Sequence, residues 1–227
     1  MKMQTKNKIN ATITKLQKAP FYEKQIRHIE KIETREPEIG ILKHNLDQRI
    51  MGWLNANNYQ LYSHQTEAID AILDDKNVII VTPTASGKSL AYNIPILESV
   101  LNDLRSTFLY IFPQKALTQD QYAKLQNHFS DLNLEQKWIG IYDGDTNKYE
   151  KARIRRQSRL ILTNPYGLHY YIAYRQLWSR FWRNLKYIII DECHNYRGVF
   201  GSNFAQVVRR LRRILRTFNI DPLFILS

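Results

Sequence analysis

Two short segments of this chain combine residue types and spacings that can do chemistry. The first is Thr82-Pro83-Thr84-Ala85-Ser86-Gly87-Lys88-Ser89. It follows the phosphate-binding pattern G-x-x-x-x-G-K-[ST], with Thr82 in place of the first glycine. In such a loop the backbone N–H groups of Thr84, Ala85, Ser86 and Gly87 turn toward phosphate oxygens at a helix N-terminus, where the peptide dipoles favour an anion. Gly87 permits the close approach, the Lys88 ammonium reaches the β- and γ-phosphates, and the Ser89 hydroxyl can ligate Mg²⁺. The second segment is Tyr187-Ile188-Ile189-Ile190-Asp191-Glu192-Cys193-His194. Four apolar residues followed by two carboxylates place the acids at the end of a buried strand. Asp191 is suited to hold Mg²⁺, and Glu192 to polarise an attacking water. A lone Gly-Lys-Ser recurs by chance, and a lone Asp-Glu pair is more often a surface turn. Together, at two strand ends, they point to an ATPase.

The elements that must position these residues follow from apolar patterning. Helices are expected over 44–56, over 63–74 with Ser63 as cap, over 88–104 with a kink at Pro95, and over 115–129. A strongly basic helix is expected over 203–217. Strands are expected over 77–81, 107–112, 137–142, 159–163 and 186–190, with a last one starting at Leu223. Tyr/Trp-rich helical material separates the fourth and fifth strands. Continuous apolar strands alternating with helices imply an α/β fold, a mainly parallel sheet with helices on both faces. Ligands in such sheets bind at the carboxyl ends of strands, where both segments fall.

The composition is consistent with that fold and excludes others. At 227 residues, 44% hydrophobic and 12% aromatic, the chain is neither disordered nor of low complexity. No apolar run approaches the roughly 20 residues of a membrane span. Cys193 is the single cysteine, so the chain has no internal disulfide and no cysteine zinc site. That, with an N-terminus lacking the apolar core of a secretory leader, suggests a reducing, cytoplasmic location. The net charge is +12, and residues 151–216 carry fifteen Lys/Arg against two acids, Asp191 and Glu192, while the rest is nearly neutral. Such a localised excess attracts a polyanion such as nucleic acid; the plain alternative is a solvated helix face. Residues 1–43 read as a loose polar extension before the regular part of the chain, 44–227.

Further motifs stand in a telling order. Asp191-Glu192-Cys193-His194 resembles the Walker B motif of superfamily 2 DEAD/DEAH-box helicases in its DECH form, and Leu61-Tyr62-Ser63-His64-Gln65 resembles their adenine-reading Q-type motif. Pro113-Gln114-Lys115-Ala116-Leu117 resembles motif Ia, Thr163-Asn164-Pro165 resembles motif Ib, and Gly144-Asp145 sits where the family has a glycine-containing strand-contact loop. Three longer blocks, 178–185, 196–203 and 209–214, are similar to the MrfA-like (YprA/Hrq-type) DNA helicases, a likeness running from about residue 26 to the end. The resemblance implies a RecA-like P-loop NTPase domain, the first lobe of an ATP-dependent DNA helicase acting in repair or recombination. It implies ATP and Mg²⁺ as cofactors and DNA, as a single strand or 3′-tailed duplex, as partner. It assigns adenine to Tyr62 and Gln65, the latter pairing through both amide groups. Backbone tracking falls to Pro113, Gln114, Lys115, Gly144, Asp145, Thr163, Asn164 and Pro165. His194 has two readings, a satisfied buried imidazole or a link from the ATP site to motif III, the second favoured.

The chain also departs from the family. Tyr166 replaces the acid of the usual Thr-Asn-Pro-Asp run, and Cys193 stands where relatives carry Ala or Leu. Phe224-Ile225-Leu226-Ser227 resembles the start of motif III, where the chain stops. The second lobe with its arginine fingers would lie beyond it. Since such an arginine is worth roughly 10³–10⁵ in rate, the expectation is weak ATP binding and slow hydrolysis by this polypeptide alone. Two alternatives to a DNA helicase lobe are an RNA helicase lobe and a nucleotide- or nucleic-acid-binding remnant without turnover. Tyr170, Tyr171, Tyr174, Trp178 and Trp182 could stack bases, but at helical spacing the expectation is core. Five arginines over 209–216 cannot all face one strand, so some should solvate the back of the lobe.

Overall fold

Apolar residues alternate between two layers on either side of a single parallel sheet. The computed structural model describes residues 2–30, 38–82 and 86–227, with side chains from residue 8 onward. Compact units comprise residues 1–37 and 38–227. In the first, α1 (Lys2–Gln17) is a helix rather than the loose terminus expected. It holds no Gly or Pro until Pro20 beyond its end, and its described side chains are almost all exposed. The second unit begins six residues before the expected boundary at 44. Gly40 donates to Leu61 O at 2.9 Å and the Lys43 and His44 N–H groups donate to the buried Asp70, which ties residues 38–44 to the helix that carries Asp70.

The order within this unit is α2 (Gln48–Ala56), α3 (Ser63–Leu73), β1 (Val78–Ile79), α4 (Lys88–Asn102), β2 (Thr107–Ile111), α5 (Lys115–Asp131) and β3 (Ile139–Ile141). There follow α6 (Lys148–Gln157), β4 (Leu160–Thr163), α7 (Pro165–Ile172), α8 (Ser179–Trp182), β5 (Leu185–Ile190), α9 (Gly198–Thr217) and β6 (Leu223–Leu226). The sheet order is β1-β6-β5-β2-β4-β3, with every neighbouring pair parallel. Phe108, Tyr110, Tyr187 and Ile189 face one layer, with Ile69, Tyr92, Leu97 and Phe129 of α3, α4 and α5. Leu109, Ile111, Ile188 and Ile190 face the other, with Leu168, Trp178, Trp182 and Leu211 of the segments from α7 to α9. This is the period-two alternation of a sheet covered on both faces.

Several expected elements are corrected in detail. Ser63 is the first helical residue of α3, not its cap; Tyr62 holds the cap position, and Gln65 Oε1 accepts its N–H at 2.9 Å. α2 starts at Gln48 because the Asp47 carboxylate accepts from Arg49 N and caps it there. The strand expected over 77–81 is a two-residue edge strand, with Ile79 66% and Val81 86% exposed. Its place at the sheet margin, rather than its composition, leaves those side chains uncovered. α6 was not anticipated, having Ile154 as its one buried residue. α9 starts five residues earlier than expected. No helix among the described residues is long and apolar enough to cross a membrane.

Candidate functional site

The phosphate-type loop leads from β1 into α4. Its Pro83, Thr84 and Ala85 lie outside the described residues, so two of the expected cradle residues go unplaced; Ser86, Gly87, Lys88 and Ser89 are placed. Gly87 caps α4 in the left-handed region at φ 79°, and a Cβ there would come within 2.5 Å of Gln65 Nε2. The dihedral favours glycine here, and any larger residue would also displace the Gln65 amide. Thr82, where the pattern has glycine, pairs its hydroxyl with that of Ser86 at 2.6 Å and accepts from Lys88 Nζ through its carbonyl at 3.3 Å. The first turn of α4 holds no acid, leaving its free N–H groups open to an anion.

Gln65 is nearly fully buried, and each end of its amide meets backbone: Nε2 donates to Gly87 O at 2.9 Å while Oε1 accepts from Tyr62 N. The edge expected to pair with adenine is thus turned onto the loop, joining α3 to the cap of α4. His64 does the same at Ser86 O, 3.1 Å from its Nε2, and stacks against the half-buried Tyr62. Pattern spacing alone missed His64 as a contributor.

Asp191 follows β5 and is buried. Its N–H donates to Ile111 O, its Oδ2 accepts from Tyr92 Oη at 3.4 Å, and its Oδ1 accepts from Ser227 Oγ. Tyr92 lies three residues after Ser89 on α4, so both stand on one face of that helix. The tyrosine contact therefore carries the Ser89 turn toward the end of β5. Burial, then the neighbouring Asp191 charge, push the Tyr92 phenol well above its ordinary pKa, so it remains a donor. Ser227 is fixed by its own backbone, its N–H donating to Ile190 O and its carbonyl accepting from Cys193 N. Glu192 adopts φ 49°, a left-handed conformation uncommon for a residue with a Cβ, and its Oε2 lies 3.2 Å from His194 Nδ1. The His194 side chain is 57% exposed, which removes the buried-imidazole reading.

The loops expected to follow a strand gather at the ends of β2, β3 and β4. Pro113 and Gln114 lead into α5, and Lys115 pairs with Asp145 at 2.6 Å. Asp143 Oδ1 accepts the N–H groups of Asp145 and Thr146, closing a turn that leaves Gly144 in open space. Thr163, Asn164 and Pro165 are buried, and their observed bonds shape the loop: Thr163 Oγ1 donates to Tyr142 O at 2.7 Å, and Asn164 Oδ1 accepts from Gly167 N to cap α7. Of the five aromatics expected in the core, Tyr171, Trp178 and Trp182 are buried, whereas Tyr170 and Tyr174 are 73% and 61% exposed. At equal helical spacing the two groups were indistinguishable.

The basic excess divides as well. Arg159 is buried over the Trp138 ring and donates to the carbonyls of Val100, Asp103 and Ser106, so it closes the end of α4 rather than meeting a polyanion. Arg180 donates to Ser158 O and Arg155 O. Arg209, Arg212, Arg213 and Arg216 are exposed along α9.

The DEAD/DEAH box helicase family matches residues 62–225 of the chain. The chain is 41% identical over 196 residues to the uncharacterized ATP-dependent helicase YprA of Bacillus subtilis, a match covering 86% of this chain and 26% of that protein. It is 40% identical over 208 residues to the ATP-dependent helicase HRQ1 of Saccharomyces cerevisiae, covering 91% of this chain and 19% of that one. Its fold superposes on the crystal structure of the DUF1998 helicase MrfA bound to DNA and AMPPNP with a TM-score of 0.82 and 40% identity, over 86% of this chain and 28% of that one. The DEAD-box helicase Mss116 bound to ssRNA shares the fold at 18% identity, TM-score 0.68, over 85% of this chain and 42% of that one. The chain spans about a quarter or less of the length of the two curated relatives named.

Proposed function

This chain belongs to the DEAD/DEAH-box helicase family, and we propose on that basis that it is the ATP-binding motor lobe of an ATP-dependent DNA helicase. The observation that carries the proposal is the junction at Asp191, where Tyr92 from the Ser89 helix and Ser227 just after β6 meet one buried carboxylate. A relative 40% identical in sequence, bound to DNA and AMPPNP, favours DNA over RNA as the polyanion and an adenine nucleotide as the fuel. Use in repair or recombination, on a single strand or 3′-tailed duplex and with a second RecA-like lobe, follows from the same likeness.

Each residue then has a task. The Gly87 backbone and the open N-terminus of α4 receive phosphate oxygens, and Lys88 exchanges its Thr82 carbonyl for the β/γ-phosphates. Ser89 and Asp191 fit Mg²⁺ as one hydroxyl and one carboxylate, a set that phosphate oxygens and water would complete. The ion, when bound, neutralises charge on those oxygens. Tyr92 and Ser227 hold the Asp191 carboxylate in one orientation. Glu192 polarises the attacking water and takes its proton; with Oε2 beside His194, its other oxygen is left for the water. His194, exposed beside it, would pass the state of the site to the next element. Tyr62 and His64 offer ring faces for adenine, while Gln65 reports on the loop through Gly87. Lys115 and the Gly144 turn would meet phosphates of the strand, shaped from behind by Thr163, Asn164 and Pro165.

A titration of the chain with a fluorescent ATP analogue and Mg²⁺ tests the nucleotide site. Lys88→Ala should weaken binding at least ten-fold. Binding equal to that of the parent chain would overturn the site.

A further inference from the structure

A cavity of about 700 Å³ opens among the loops that end β2, β3 and β4. Lys115, Gly144 and Asn164, one residue from each expected strand-contact loop, lie on its wall. Its other side is aromatic. Tyr142 and Trp178 meet edge to face at 4.7 Å and form a buried floor. Above them stand Tyr166, Tyr170 and Tyr174, exposed by 74%, 73% and 61%. The spacing of four residues sets Tyr166 and Tyr170 on one stripe of α7, while Leu168, Tyr171 and Ile172 face the core. Three large rings left in water beside one cavity are unusual for a surface with no ligand.

The charge around these rings is positive. Lys115, paired with Asp145, and Lys151 and Arg155 line the cavity, with Asp143 the one carboxylate on its wall and its Oδ1 turned into its own loop. Lys151 Nζ lies 5.7 Å from the centroid of the Tyr142 ring, and Arg155 donates to Tyr142 Oη at 3.3 Å. Rings flanked by cations suit a flat aromatic group on a polyanionic chain. A backbone contact alone would need the cations but not the tyrosines.

We infer that this cavity takes a nucleobase unstacked from the strand the loops follow, with Tyr170 and Tyr174 against its ring and Lys151 and Arg155 near its flanking phosphates. This rests on the proposed function, since it requires a single strand on this face. It adds to that function a contact with the base itself, sequence-tolerant because every base has a π-face.

Fluorescence anisotropy with the whole chain separates the two claims. The probes are labelled oligo-dT of about 16 nucleotides and an abasic strand of equal length and charge. The parent chain should bind oligo-dT about ten-fold more tightly than the abasic strand. Tyr170→Ala with Tyr174→Ala should remove that advantage and leave abasic binding unchanged, while the double Phe variant should keep it. Both positions are exposed, so the fold should survive, which thermal melting checks. Equal affinity of the parent chain for the two probes overturns the base contact, as does an equal loss of both in the Ala variant. If Lys115→Ala still weakens both probes, the strand-binding face stands without it. No binding of either probe at low salt overturns the strand-binding face and the base pocket together.

Discussion

The two candidate faces of this chain lie along one edge of the same sheet and are built in different ways. At the ends of β1 and β5 the key groups are held by distant parts of the chain: the buried Asp191 by Tyr92 and Ser227, and the Gly87 carbonyl by Gln65. At the ends of β2, β3 and β4 the buried polar groups shape short loops, as Asp143 does with Asp145 and Thr146, and the rings of Tyr166, Tyr170 and Tyr174 stand exposed. Fixation by distant segments suits a site where atoms must be placed for bond cleavage. A surface that grips and releases a strand needs the reverse. Substitutions in the first face should therefore change chemistry or stability sharply, and those in the second should change binding in small, salt-dependent steps.

The largest expected effect is at Glu192. Wherever ATP turnover is measured for this chain, Glu192→Gln should keep nucleotide binding and lower turnover by roughly 10²–10⁴, the usual share of a general base. Phosphate release measured beside nucleotide binding checks it, and normal hydrolysis would move the water-activating role elsewhere. Tyr92→Phe comes next. It removes one donor to a buried carboxylate and should cost about 1.5 kcal/mol, the low end for bonds to charged groups because the contact is 3.4 Å long. Urea unfolding at constant m-value measures it; an unchanged midpoint would mean that Tyr92 does not fix Asp191.

Lys115→Ala should act on the open face alone. Loss of one phosphate contact reduces the slope of log affinity against log salt by about 0.7 for a single strand. Because Lys115 is shared with Asp145, the loss at physiological salt should be only a few-fold. An unaltered slope would take Lys115 out of the footprint, and a changed nucleotide affinity would break the separation of the two faces.

The same contrast explains what could be read from the sequence. The Gly87-Lys88-Ser89 and Asp191 patterns were legible because their spacing is local, one opening the helix after a strand and the other closing a strand. The parallel sheet was legible because its strands are continuous apolar runs. Tyr92 was not, since its contact depends on how α4 registers against β5, across 99 residues. The exposure of Ile79 and Val81 was hidden because a strand's place in the sheet order is not a local property. Tyr170 and Tyr171 adjoin in a helix, yet one is exposed and the other buried; only the direction of the face separates them. α1 and α6 escaped notice because a polar helix carries little apolar stripe to detect.

The smallest expected effect comes from the aromatic column behind the buried face. Tyr196 stacks on Phe204 at 4.2 Å and on Phe200 at 5.5 Å, and Phe200 in turn meets Tyr166 at the edge of the proposed strand-binding face. The Tyr196 hydroxyl is buried without a hydrogen-bond partner, and burial, with the nearby Asp191 charge, pushes its pKa well above the ordinary value. A buried hydroxyl without a partner is a net cost, so Tyr196→Phe should leave the stack intact and raise stability by up to about 1 kcal/mol. A melting temperature that falls instead would show that the hydroxyl has a partner through bound water. The same variant tests the column as a link. If Tyr196 joins the two faces only through ring packing, Tyr196→Phe should leave both nucleotide and strand affinity unchanged. Phe200→Ala, which opens a gap in the column, should alter how strongly one ligand affects binding of the other.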